Sequence, residues 1–205
     1  MQREIVFPAG AWPEVRDHLL GDGSNEQLAF LLAGVARGRG WLRLLVREVV
    51  PVPPDAFDRQ TPAYLAVEPT FSRAILSRCY EEGLSLIEVH SHPFARRNVT
   101  FSAVDLANER QKFGYVATKI PHIYHATIVV GQMDLDAHIW DRRRRRTAPI
   151  DRVRALEAPI VDLVPTCQRA EDRDYSPPAW LDRQVLAFGE EAQQRLQELR
   201  VGVVG

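Results

Sequence analysis

The chain has 205 residues, and 26 basic against 27 acidic side chains give it a formal net charge of −1. That balance excludes a global basic field drawing it to nucleic acid or membranes, and 45% hydrophobic with 26% charged residues describes a globular chain of one domain or one and a half. No apolar run approaches the ~20 residues of a membrane span, MQREIVFPAGAW lacks a signal-peptide pattern, and two cysteines, Cys79 and Cys167, make neither a disulfide framework nor a thiolate cage, so a reducing, cytoplasmic setting is expected.

In chain order, Arg3 to Phe7 reads as a strand and Pro13 to Leu20 as a helix ended by the turn-rich GDGSN. Leu28 to Leu32 is a continuous apolar run suited to a buried strand. Three glycines between Gly34 and Gly40 predict a turn, Trp41 to Val50 a strand, and the four prolines of residues 51 to 62 a loop. Phe71, Ile75 and Cys79 recur at helical spacing within Thr70 to Glu82. Leu84 to His90 is a strand, Ser102 to Phe113 a helix, and Ala126 to Val130 and Leu135 to Trp140 the last strands expected. The order predicts a layered α/β domain, a mixed β-sheet flanked by helices, over residues 1–145.

Beyond Trp140 stand five consecutive arginines, Arg142 to Arg146. They match either a phosphate- or nucleic-acid-binding patch or a solvated connection, and the acidic residues around them favour the second. Residues 146–180 are expected to be a linker and extension, with Pro165, Pro177, Pro178 and the AEDRD stretch. Trp180 to Arg200 then reads as a helix, followed by the buried-strand signature VGVVG.

The chemistry concentrates in LIEVHSHPFARRNVTFSAVDLANE, residues 86–109. His90 and His92 lie two apart at the end of an apolar strand, so both imidazoles leave the same face. Such a pair can ligate a divalent metal such as zinc. Asp105 falls one turn into the next helix, and a strand–loop–helix passage can return its carboxylate to the histidines. Two nitrogens, one oxygen and a free fourth position are how a catalytic zinc is held. Ser102-x-x-Asp105 also matches a helix capping box, a purely structural use of both residues. His18, His122, His125 and His138 read as structural or surface groups.

His-Ser-His-Pro followed by Ser-x-x-Asp resembles the JAMM motif of the JAB/MPN metalloproteases, zinc isopeptidases acting at the C-termini of ubiquitin-like proteins. The resemblance covers roughly residues 1–145 in element order as well as motif. It implies zinc on His90, His92 and Asp105, with Ser102 stabilising the tetrahedral intermediate. It also implies a glutamate on an earlier strand as general base. Glu26, at the head of EQLAFLLAG, is the preferred candidate over Glu48 and Glu88. Nine residues separate His92 from Ser102, where the family usually has about seven.

Residues 181–205 resemble the entry to a ThiF/E1-like adenylating domain, through Arg183, Gln184, Phe188, Gly189 and Gln193. The pattern reaches Gly205 before a phosphate-cradling glycine turn is completed, so this piece is not expected to bind ATP. A fusion of this kind implies a ubiquitin-like or sulfur-carrier-like partner with a Gly-Gly tail. The expected function is a zinc-dependent peptidase or isopeptidase that processes or removes such a partner. The main alternative is a non-catalytic MPN-type binding scaffold; a third is hydrolysis of a small amide or thiocarboxylate adduct. A zinc nucleoside deaminase is disfavoured by the lack of His-x-Glu and Cys-x-x-Cys.

Overall fold

Strand β1 (Gln2–Phe7) leads into helix α1 (Ala11–Leu20), then into a long hairpin of β2 (Leu28–Gly38) and β3 (Trp41–Pro51). The computed structural model describes residues 1–168 except 22, 62–63, 121–123 and 142–144. These form the body of one unit, Met1–Arg169. His122, Arg142 to Arg144, the later part of the expected linker and the segment 181–205, expected to open an E1-like domain, lie outside the described residues.

The turn expected across Gly34 to Gly40 is confined to its end, since β2 runs through to Gly38. Gly40 has φ +87, a left-handed conformation that suits glycine. Gly38 serves close approach instead: a Cβ there would stand 2.5 Å from the Trp41 ring. The glycine cluster therefore mixes two physical needs, and only one of them is a turn.

A small hairpin follows, β4 (Phe57–Thr61) and β5 (Tyr64–Val67), in the region the prolines marked as a loop. The chain continues through α2 (Pro69–Glu82), β6 (Ser85–Ser91), α3 (Ala103–Lys119), β7 (His125–Val130) and β8 (Leu135–Asp141). Gly83, with φ 66, closes α2 as a left-handed cap whose N–H reaches the last carbonyls of the helix.

Residues 146–163 correct the sequence expectation. They supply β9 (Arg146–Pro149), β10 (Arg152–Ala155) and β11 (Val161–Leu163), all within the main sheet. Its order is β11-β10-β1-β3-β2-β6-β7-β8-β9. Pairs β1·β10, β1·β3 and β6·β7 are parallel and the remaining neighbours antiparallel, so the sheet is mixed. Between β9 on β8 and β10 on β1, Ile150 N–H donates to Ala137 C=O and Asp151 N–H to Arg3 C=O, each at 2.9 Å. One passage of chain thus runs from the edge strand β9 to β10, next to the opposite edge, and curls the sheet. The physical reason is legible in Arg152-Val153-Arg154-Ala155, where Val153 and Ala155 are fully buried. Arginine content masked a strand alternation.

Period-2 alternation sorts the side chains. Ile5, Leu31, Leu44, Ile87, Ile128, Ala137 and Val153 turn to one face and build the main core with α1. Phe30 and Leu86 turn to the other, where they pack with Ile75 and Cys79 of α2 and Val116 of α3. Full burial of each large aliphatic chain contributes about 1.5–3 kcal/mol. No helix of the described residues is long and apolar enough to cross a membrane.

Candidate metal centre

Strand β6 carries Ile87 and Val89 into the main core, so His90 leaves on the opposite face and His92 follows just beyond the strand end. Their ring centroids are 5.1 Å apart with planes at 67°. Antiparallel pairing places Leu28 of β2 opposite His90. Continuing that register by two residues sets Glu26 across from His92, and His92 Nε2 stands 3.7 Å from Glu26 Oε1. Backbone clamps fix this junction. Ser91 N–H donates to Gln27 C=O and Gln27 N–H to the Ser91 hydroxyl, each at 3.0 Å. The β4 side chain Gln60 donates its Nε2 to Glu26 C=O at 2.9 Å.

Asp105 arrives from the first turn of α3. Its Oδ2 is 3.3 Å from His92 Nε2 and its Oδ1 3.7 Å from His90 Nε2. One donor atom each from His90, His92 and Asp105 lies within 4.8 Å of the others. The long His92–Ser102 connection is compatible with this because its backbone is tied down: Asn98 and Val99 N–H donate to the Asp134 carboxylate at 2.5 and 3.2 Å. Ala95 N–H also returns to His92 C=O at 2.9 Å.

The capping box is formed in full. Asp105 N–H donates to the Ser102 hydroxyl oxygen at 3.1 Å, and Ser102 N–H to Asp105 Oδ2 at 2.7 Å. Capping and site-building therefore coincide in one turn, since the same carboxylate that caps α3 faces both histidines. Ser102 retains its hydroxyl proton as a donor.

Electrostatics follow from partial burial. Burial would raise the Asp105 carboxyl, but the neighbouring imidazoles of His90 and His92 more than offset it and hold it far below the usual range. Contact with Asp105 raises His92, against burial. Burial lifts Glu26 above an ordinary carboxylate, and the two histidines only partly counter it. Such an upward shift suits a group that must take and return a proton.

The donor set fits a zinc ion, being two imidazoles and one carboxylate with room for a fourth ligand. One observation speaks to this directly: His90 Nε2 is buried and has no hydrogen-bond partner. Burying such an atom unsatisfied costs on the order of 1–3 kcal/mol. A metal would satisfy it.

The rival glutamates are each held by a cation instead. Glu48 is exposed and held by both Arg78 guanidinium nitrogens, at 2.7 and 3.0 Å, which lowers its carboxyl. Glu88, two residues before His90 on β6, faces the same cleft but is ion-paired to Lys112. Neither stands beside the histidine pair as Glu26 does.

A cleft of about 810 Å³ opens over the centre. Its walls include Phe94, Val104 and Tyr115, all exposed, and the β5 residues Tyr64 to Val67. Sequence reasoning missed Phe101 and Glu109, which also line it. Phe101 stands 6.0 Å from the His90 ring and stacks on His138 at 4.4 Å. Glu109 is buried, takes a hydrogen bond from Thr127 Oγ1 and lies 3.4 Å from His138 Nδ1. The available signal was helical spacing, since Glu109 is four residues beyond Asp105 and shares its face of α3. His138 is half-buried there, whereas His18 meets Leu28 C=O at 2.9 Å and His125 is buried beside Phe113.

Both cysteines are free thiols. Burial pushes Cys79 up to about 11, and burial with the Asp136 carboxylate pushes Cys167 up to about 12. Both shifts favour the protonated thiol in the metal-free chain.

The fold and site define a mixed α/β protein with a candidate three-ligand metal centre. No protein-family model matches the chain. No curated protein matches it either. Among solved structures it is similar to the solution structure of protein DSY2949 from Desulfitobacterium hafniense, at 16% identity and a TM-score of 0.47, covering 74% of this chain and 93% of that one.

Proposed function

We propose that the chain is a JAMM-type zinc peptidase of JAB/MPN-like fold that cleaves at the C-terminal Gly-Gly tail of a ubiquitin-like or sulfur-carrier-like protein. The observation that carries this reading is the convergence of His90, His92 and Asp105 around a buried, unsatisfied His90 Nε2, with Glu26 beside them. His90, His92 and Asp105 would hold the ion. Bound there, zinc supplies Lewis acidity, polarising a carbonyl and making water a stronger acid.

The chain's own groups do the rest. Glu26 accepts the proton of the attacking water and returns it to the departing amine, a double duty suited to a carboxyl already raised by burial. The Ser102 hydroxyl, oriented by its acceptor role in the cap, donates to the developing oxyanion. No covalent intermediate is required, and neither Cys79 nor Cys167 lines the cleft. Strand β5 pairs with β4 on one edge and lines the cleft, a wall along which an extended tail can lie. A diglycine segment suits the approach because it brings no side chain between the scissile carbonyl and Glu26.

Cleavage of a ubiquitin-like fusion bearing a Gly-Gly junction tests the reading. Activity is expected to vanish on chelation, return with zinc, and be absent in His92→Ala. A His92→Ala chain that still cleaves would overturn it. Tight partner binding with no cleavage and no metal would establish the scaffold alternative in its place.

A further inference from the structure

We propose that Asp136, His138 and Cys167 form a second divalent-metal site, of the sulfur–nitrogen–oxygen kind that zinc prefers. This proposal does not depend on the peptidase reading. Asp136 and His138 are two apart on β8, on the face opposite Leu135, Ala137 and Ile139 of the main core. Cys167 reaches them from the short turn of residues Thr166–Gln168. That turn is fastened to β8 independently of any metal. The Thr166 hydroxyl donates to Leu135 C=O at 3.2 Å, and Cys167 N–H donates to Asp136 Oδ1 at 3.1 Å. One donor atom from each residue lies within 4.8 Å of the other two. Ligands of a tetrahedral zinc stand about 3.3–3.8 Å apart, so the three are gathered to within about 1 Å of that spacing.

Two further features point to a cation. Asp136 is only 3% exposed, and its carboxylate is met by the N–H groups of Ala137 and Cys167. No lysine or arginine of the described residues pairs with it. A buried carboxylate is ordinarily paired with a cation or bound to a metal. His138 presents Nδ1 to the buried Glu109 at 3.4 Å, and Glu109 is itself held by Thr127. A carboxylate on one ring nitrogen is the usual support of a metal-bound histidine, because it leaves the other nitrogen as a ligand. Cys167 is only partly covered, its residue reaching solvent while its thiol packs toward β8, so an ion has a path in.

Occupancy would cross-link β8 to the turn after β11, about thirty residues later in the chain. Phe101 is placed between this site and the histidine pair, against His138 on one side and near His90 on the other. Thiolate, imidazole and carboxylate together select zinc over magnesium or calcium, which take oxygen ligands.

The two centres differ in one readable way: only the second has sulfur. Cobalt(II) loading of the full chain is expected to give a thiolate-to-metal charge-transfer band that persists in His92→Ala and disappears in Cys167→Ser. Zinc content after dialysis is expected to fall from about two to about one per chain in Cys167→Ser and in the second variant Asp136→Asn, each checked for native circular dichroism. A band that survives Cys167→Ser, cobalt binding without any band, or a zinc content unchanged in both variants would overturn the proposal. Failure of the peptidase centre alone reads differently. It leaves about one zinc, with the band intact, sensitive to Cys167→Ser and indifferent to His92→Ala.

Discussion

The two faces of the curled sheet carry opposite chemistries on the same strands. On β6, Ile87 and Val89 turn inward and are fully buried, while Glu88 and His90 turn out to the cleft. On β7, Ile128 faces the core and Thr127 supports Glu109. On β8, Ala137 and Ile139 face in, and Asp136 and His138 face out. The inner face is apolar and makes the scaffold; the outer face holds titratable groups that pair with one another, with hydroxyls and with backbone N–H groups. A strand's two-residue period separates stability from chemistry without separating them in sequence. The same rigidity that the inner face confers holds the outer groups in place.

Substitutions should divide along that line. On the outer side, Glu26→Gln is expected to lower the rate of Gly-Gly tail cleavage by about 10²–10⁴-fold with zinc content unchanged. Glu48→Gln, at an exposed salt bridge with Arg78, should leave the rate as it was. Equal losses from the two would remove the distinction drawn between these carboxylates. Steady-state cleavage assays decide it.

On the inner side, Ile128→Ala is expected to cost about 2–5 kcal/mol of stability, read from urea unfolding, because a fully buried side chain leaves a cavity. Zinc content of the folded protein should not change. Loss of metal without loss of stability would mean that the faces are not separable in this way.

The smallest effect concerns pH in the chelated protein. His92 is held above its ordinary value of 6.5, chiefly by Asp105. Its stabilisation is therefore fully present below 6.5 and fades as pH rises through the higher folded value. Glu26, raised by burial, acts in the same direction, and Asp105, held low, loses its contribution only as pH falls below the ordinary 3.8. Metal-free chain should accordingly unfold at lower urea at about pH 8.5 than at about pH 6. Zinc should oppose the trend, because metal binding requires deprotonated ligands. A metal-free midpoint that rises with pH would contradict the Asp105–His92 interaction.

Much of this was legible in the sequence. His90 and His92 leave one face because they are two apart on an apolar strand, and Asp105 falls in a helix's first turn because Ser102 caps it. Glu26 was singled out by the family resemblance, from its place at the head of a short apolar run, and it stands 3.7 Å from His92. Other features were not. Val153 and Ala155 alternate with arginines, so a core strand carried the composition of a connection. Phe101 and Glu109 bear no motif and matter only by what they touch.

The sequence by itself determined which faces are apolar, where helices begin, and which residue types offer metal ligands, because these depend on local periodicity and capping. Only the tertiary structure decided which ligands meet. The β2–β6 register set Glu26 across from His92, the anchored loop returned Asp105 to both histidines, and the passage joining β9 to β10 curled the sheet. Each is a long-range pairing, and burial across the whole chain rather than any local preference selects it.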